Sequence, residues 1–225
     1  VSKSHVLLKN QCGVLPASPS ERFIIGGNVA DNIGQQSGGW SVSWQGTGNT
    51  NQDFPGGTSI AAGLIAQIEV AGGSVTSDTD ADADVAIVVF GESPYAEMQG
   101  DVYTVAWSDQ RGERALIKSL KARGIPVVAV FLTGRPMWVN DILNDSAAFV
   151  VSWLPGSEGQ GVADVLLADA RGNLQFDFVG KLPMPWPALD VNAIDRDLPV
   201  DKFIFPICYG LSVKDELAWS ELSEQ

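Results

Sequence analysis

The chain is poor in the residues that build metal centres and in those that hold nucleic acid. Its 225 residues contain one His and two Cys, too few for a zinc finger or a His-rich metal site. Basic side chains are outnumbered, 14 Lys and Arg against 27 Asp and Glu, for a net charge of −13. That balance argues against nucleic acid or an anionic membrane surface as partner, because both require a basic footprint. No apolar run approaches the ~18 residues of a membrane-spanning helix. The longest, residues 127–132, has the length of a strand. The first residue is Val1, and no charged segment followed by an apolar one comes after it, so no targeting segment is expected within the chain. Tyr is scarce at three, whereas Trp is abundant at seven.

What is present suits one folded body. Apolar residues make up 45% of the chain and charged ones 18%, a balance that buries a core rather than leaving a disordered polymer. Residues 1–212 are expected to form one domain, and residues 213–225 an acidic linker or tail. Cys12 and Cys208 read most simply as two buried thiols. A disulfide between them requires an oxidising compartment and close Cα atoms, and stays open.

The apolar pattern alternates between strand and helix. Residues 22–25 read as a buried first strand ending at Gly26-Gly27, and residues 28–57 as a long loop carrying two Trp. Residues 58–70 read as a helix capped by Thr58 or Ser59, with Leu64, Ile65 and Ile68 inward. Residues 85–90 are a β-branched run of the kind buried on both faces of a parallel sheet. A helix at 109–123, a strand at 126–132, a short helix at 138–143, a strand at 148–154 and a helix at 158–167 follow. The expected fold is therefore α/β: a three-layer αβα sandwich with a mostly parallel sheet of about six strands and helices on both faces. Ligands in such sheets sit beyond the carboxyl ends of the strands.

Several familiar chemistries fail on inspection. Gly26-Gly27-Asn28-Val29-Ala30-Asp31 is not a dinucleotide-binding glycine pattern. Asp78, Asp80, Asp82 and Asp84 alternate like a calcium loop, but Ala83 and Val89 stand where Gly and Glu are needed. Gly156-Ser157-Glu158-Gly159 is not a nucleophile elbow, and His5, the lone His, reads as an ordinary, partly exposed residue. The loop 91–101 holds three carboxylates at a fixed strand end. Glu92 fits a turn-capping role. Glu97, in mid-loop, is the better general acid, with a pKa expected to be raised by aromatic, partly dry surroundings. In the loop 37–46, Trp40 and Trp44 in a Gly/Ser context suit stacking on a sugar face, and Gln45 suits sugar hydroxyls. The plainer alternative is that one of the two Trp plugs the end of the sheet.

These residues resemble the second domain of family 3 glycoside hydrolases. The resemblance rests on Leu7-Leu8-Lys9-Asn10 with Leu15-Pro16, Gly38-Gly39-Trp40 with Trp44-Gln45-Gly46, and Gly91-Glu92 with Pro94-Tyr95-Ala96-Glu97 and Gly100-Asp101. Gly134-Arg135-Pro136, the stretch 153–161, Gly180-Lys181-Leu182-Pro183 and Tyr209-Gly210-Leu211 continue it, in order, from about residue 5 to about residue 212. The stretch 172–178 departs from the family pattern. The resemblance implies a retaining exo-β-glucanase or β-glucosidase that releases glucose from a β-glucan or from cello- or laminari-oligosaccharides. A (β/α)8-type N-terminal domain, absent from this chain, would carry the Asp nucleophile. This domain would supply Glu97 as acid/base, with Trp44 and nearby Trp40 as the aromatic wall of the outer subsite. No cofactor and no metal are expected, and export to the periplasm or outside the cell is. The competing readings are a non-catalytic carbohydrate-binding or assembly module and, more remotely, a nucleotide-binding α/β protein.

Overall fold

A computed structural model describes residues 1–109, 111–189, 199, 202–215 and 217–224. In chain order the elements are β1 (Val6–Asn10), β2 (Arg22–Gly26), α1 (Ile33–Ser37), α2 (Ile60–Val70), β3 (Ser74–Thr76), β4 (Val85–Gly91), α3 (Glu113–Ala122), β5 (Val127–Leu132), α4 (Asn140–Asp145), β6 (Ala148–Val151), α5 (Gln160–Leu166), β7 (Trp186–Pro187) and β8 (Phe203–Phe205). The main sheet has six strands in the order β1-β6-β5-β4-β2-β3. All pairs are parallel except the edge pair β1 and β6.

The two-faced burial follows from the apolar runs. In β4, Val85, Ile87 and Val89 enter one core, whereas Ala86, Val88 and Phe90 enter the other. In β5, Val128, Val130 and Leu132 face the first core, and Val127, Ala129 and Phe131 the second. Alternate residues of a strand point to opposite faces, so only an all-apolar strand can serve two cores. α2 and α5 close the first core through Ile60, Leu64, Ile68, Val162, Val165 and Leu166. α3 and α4 close the second through Ile117, Leu120, Ile142 and Leu143. The expected αβα sandwich is what forms.

Several local expectations are corrected. The strand at 22–25 is the second strand; the first, β1, is an antiparallel edge. β3 is a further edge strand in a polar stretch of only three residues, too short to show a period. The loop 28–57 contains α1, whose N-terminus is capped by Asn32 Oδ1 accepting from the Gln35 N–H at 2.9 Å. His5 is fully buried, and neither ring nitrogen has a hydrogen-bond partner. Cys12 and Cys208 are both exposed and unpaired. Each stands in the left-handed backbone region (φ 54° and 67°) on a tight surface turn, which keeps the short side chain outside the core.

The acidic C-terminal stretch lies against the body of the domain. Trp219 and Leu222 pack on the second core. The Leu222 N–H donates to Asn144 Oδ1 at 2.9 Å, and Asn144 Nδ2 donates back to the Leu222 carbonyl at 3.0 Å. The ammonium of fully buried Lys9 sits 4.2 Å from the Trp219 ring centroid and donates to the Leu143 carbonyl at 2.6 Å.

Candidate functional site

The strand order places a topological switch point between β2 and β4, because the chain leaves β2 towards β3 and returns on its other side. A cavity of about 310 Å³ lies there, lined by Asn28, Glu92, Tyr95, Trp107, Glu113 and Arg135 among others. In a nucleotide-binding sheet the N-terminus of the next helix would hold a phosphate at this point. Here a side chain already occupies it. The carboxylate of Asp109 accepts from the N–H groups of Arg111 (3.2 Å), Gly112 (2.7 Å), Glu113 (3.1 Å) and Arg114 (2.9 Å) at the start of α3. The buried Glu113 adjoins them. An incoming phosphate would meet two carboxyl groups rather than free N–H donors.

The loops beyond β4, β5 and α1 converge beside this cavity. Glu97 stands at the apex of a turn closed by the Gly100 N–H donating to the Ala96 carbonyl at 2.8 Å. Trp44 Nε1 donates to Glu97 Oε2 at 2.8 Å, and Gln45 Nε2 donates to the Glu97 carbonyl at 2.8 Å. Gln45 Oε1 accepts from the Ala96 N–H at 2.7 Å. The three residues singled out from two distant loops are thus one hydrogen-bonded group. Gln45 has one N–H and one lone pair left after fastening the turn, so its first task is holding Glu97.

Trp40 completes the group. Its N–H donates to the Trp44 carbonyl at 2.8 Å, and the indole centroids lie 6.2 Å apart at an interplanar angle of 51°. Trp40 is 69% exposed and Trp44 44%, so neither plugs the sheet. The approach of the two loops depends on glycine. A Cβ on Gly39 would lie 2.1 Å from the Tyr95 carbonyl oxygen, and one on Gly46 would lie 2.8 Å from Pro94 Cβ.

Two expectations about the carboxylates fail. The Glu97 carboxyl is solvent-exposed. Its pKa lies below the ordinary Glu value rather than above it, because the Trp44 N–H stabilises the charged form, with a smaller contribution from Trp40. Glu92 does not cap the turn. Its Oε1 accepts from Arg135 Nε at 3.0 Å and pairs with Arg135 Nη2 at 2.8 Å. Its Oε2 accepts from Thr133 Oγ1 at 2.6 Å and from the Tyr95 hydroxyl at 3.4 Å. Burial, then the Glu92 charge, pushes that hydroxyl up to about 12.

Arg135 and Gln36 are the residues whose roles sequence reasoning missed. Arg135 was visible only as the centre of Gly134-Arg135-Pro136. Gln36 is fully buried; its Nε2 donates to the Gly156 carbonyl at 2.9 Å, and its Oε1 accepts from the Ile60 N–H at 3.0 Å. It ties the 153–161 stretch to the start of α2. A buried Gln in a polar loop carries no sequence signal for such a role. Among the described residues, no group of three or more His, Cys, Asp or Glu could hold a metal ion, and no helix is long and apolar enough to cross a membrane.

The model of the glycosyl hydrolase family 3 C-terminal domain matches residues 5–213. A lysosomal β-glucosidase of Dictyostelium discoideum is 32% identical over 82% of this chain. A periplasmic β-glucosidase of Salmonella typhimurium is 29% identical over 93% of it. The crystal structure of an exo-1,3/1,4-β-glucanase from a Pseudoalteromonas species superposes with a TM-score of 0.93 at 50% identity, covering 98% of this chain and 28% of that one. The chain spans 24% of the Dictyostelium protein and 33% of the Salmonella protein.

Proposed function

Because the chain belongs to the glycosyl hydrolase family 3 C-terminal domains, we propose that it is the second domain of a retaining exo-β-glucosidase or β-glucan glucohydrolase. In this reading it supplies the acid/base Glu97 and the aromatic wall of the outer sugar subsite to an active site shared with an N-terminal (β/α)8-type domain. The substrate is a β-glucan or a cello- or laminari-oligosaccharide, cut at its non-reducing end. The observation that carries the reading is the contact between Trp44 and Glu97 at 2.8 Å, which sets a carboxyl group on the rim of an exposed indole. A glucose unit stacked on the indole face would bring its glycosidic oxygen to that carboxyl.

The mechanism is double displacement. An Asp of the N-terminal domain attacks the anomeric carbon while Glu97 protonates the departing oxygen, which leaves a covalent glycosyl-enzyme. Glu97, now a carboxylate, takes a proton from water as the water attacks the anomeric carbon and releases the Asp. The two carboxyl groups must stand about 5 Å apart for this route. On this domain alone the Trp44 N–H holds the Glu97 pKa below the ordinary Glu value, the direction that weakens a proton donor. An approaching Asp carboxylate and the exclusion of water both push it up, so docking of the domains creates the acid. The rim offers an apolar surface for that docking: Val42, Met98, Val102, Tyr103 and Leu154 are all exposed. An exported enzyme, periplasmic or secreted, accords with a substrate met outside the cell and with the Salmonella relative, named as periplasmic.

In the full-length enzyme, Glu97→Ala is expected to lower kcat by about 10²- to 10⁴-fold on substrates with poor leaving groups. Azide should restore turnover of an activated aryl glucoside by forming the glucosyl azide. An unchanged kcat would overturn the reading. The second reading, a non-catalytic carbohydrate-binding or assembly module, rests on the same exposed Trp40 and Trp44. Calorimetric titration of this domain with laminari- and cello-oligosaccharides separates the two, since tight binding by the domain alone favours the module.

A further inference from the structure

The loop that carries Glu97 is held at both ends by one side chain. Arg135 stands on the turn after β5, and its guanidinium grips the Glu92 carboxylate at the start of the loop through Nε at 3.0 Å and Nη2 at 2.8 Å. Its Nη1 donates to the Gly100 carbonyl at the far end of the loop at 2.8 Å. Between these anchors the guanidinium lies 4.3 Å from the Tyr95 ring centroid. The space is closed on the other sides. A Cβ on Gly100 would fall 2.5 Å from Tyr95 Cδ2, and one on Gly134 would fall 2.6 Å from the Tyr95 hydroxyl oxygen. The Arg135 and Glu92 side chains are 23% and 11% exposed, so the staple is far drier than the hydrogen bonds of Glu97 to Trp44 and Gln45. Arg135 makes none of its hydrogen bonds with Glu97 itself.

We propose that Arg135, with Glu92 as its counter-charge, is the positioning residue of the acid/base: it fixes both ends of the 92–100 loop and so sets where the Glu97 carboxyl stands when the departing oxygen needs a proton. The inference rests on Glu97 being that acid/base. The fork of Arg is required. One face pairs with a carboxylate while the remaining N–H reaches the Gly100 carbonyl at the far end of the loop, and a Lys ammonium on a flexible stem can satisfy one anchor without the geometry of both. Displacement of a catalytic group by about 1 Å costs about 10²-fold in rate. The loss should fall where proton donation matters most.

The test uses the full-length enzyme and a series of aryl β-glucosides whose leaving groups range from poor to activated. Arg135→Ala is expected to lower kcat/KM by about 10²-fold on poor leaving groups, with little loss on the most activated one. Arg135→Lys should fall between wild type and Arg135→Ala. Glu92→Gln, which keeps a hydrogen-bond acceptor for Arg135, should show the same leaving-group dependence in weaker form, and it carries the test if Arg135→Ala does not fold. A loss in kcat/KM equal for all leaving groups, or no loss in folded variants, would overturn the proposal. Glu97→Ala run in parallel separates the two levels. If it shows steep leaving-group dependence and azide rescue while the Arg135 variants do not, only the positioning role fails. If it shows neither, the assignment of Glu97 fails first.

Discussion

Glu92 and Glu97 lie on one loop, and the fold treats them in opposite ways. Glu92 sits in the dry base of the loop, where a guanidinium, a threonine hydroxyl and a phenol surround its carboxylate. Glu97 stands at the wet apex, where the Trp44 indole N–H is the main donor to its carboxylate. A carboxylate with every lone pair engaged is fixed in place, and so suits structure. A carboxylate with most of its surface free can change protonation as its surroundings change, and so suits chemistry. The lone histidine extends the contrast as a third case, fully buried and with no carboxylate ion pair among the described residues.

The sharpest way to break the contrast is to exchange the two carboxyl groups for amides, one at a time. Glu97→Gln keeps shape and polarity but cannot deliver a proton, so with Glu97 as the proposed acid/base, kcat of the full-length enzyme should fall about 10²- to 10⁴-fold on poor leaving groups. Its melting temperature should stay within about 1 °C of wild type, because an exposed position away from the core contributes little to stability. A melting temperature that fell with kcat would mean that Glu97 is structural.

The histidine tests the buried side of the contrast. Burial first, then the N-terminal ammonium, pushes the His5 imidazole down from 6.5 to about 4. Below pH 6.5 the unfolded chain binds a proton that the folded chain refuses, so stability is full above that value and is lost as pH falls towards 4. The loss should approach about 3 kcal/mol, from 1.36 kcal/mol for each unit of difference. Urea titrations of the chain between neutral pH and pH 4 read this slope directly, and His5→Leu should flatten it. An equally steep slope in the variant would assign the acid sensitivity to the carboxylates instead.

Glu92→Ala strips Arg135 of its counter-charge in a mostly dry site. Leaving that guanidinium without its partner should cost about 2 kcal/mol. For a domain of this size that is a fall of about 4–8 °C in melting temperature. Calorimetry of Glu92→Ala beside Glu97→Gln then gives the contrast in one experiment. Equal melting temperatures would erase it.

The parts legible in the sequence are those fixed by local chemistry. The all-apolar run of β4 and the strand of β5 declared a sheet buried on both faces, and Gly124 marked the end of α3. The clustering of the candidate residues Glu97, Trp44, Trp40 and Gln45 was legible as two loops, because indoles in a Gly/Ser loop have no core to fill. What stayed hidden was pairing across the chain. Glu92 meets Arg135 over 43 positions, and Trp44 meets Glu97 over 53. Neither contact leaves a local period. His5 and the two cysteines were misplaced for a related reason. Their burial depends on which surface other segments cover, and the antiparallel edge at β1 was not foreseen.

The smallest expected effect bears on the main tie of the Glu97 carboxylate. Trp44→Phe keeps an aromatic face for a sugar but removes the N–H that stabilises the Glu97 carboxylate. The Glu97 pKa should therefore rise towards the ordinary value, the direction opposite to the present shift. As the proposed acid of the first half-reaction, Glu97 must be protonated there, so the alkaline limb of kcat/KM should move to higher pH. The rate at its optimum should change only about threefold, the scale of one aromatic contact. The pH profile of the full-length enzyme with a poor leaving group checks this. An alkaline limb that does not move would mean that docking of the other domain breaks the bond between Trp44 and Glu97. The indole would then serve the sugar alone, and the apex of the loop would be freer than the isolated domain shows.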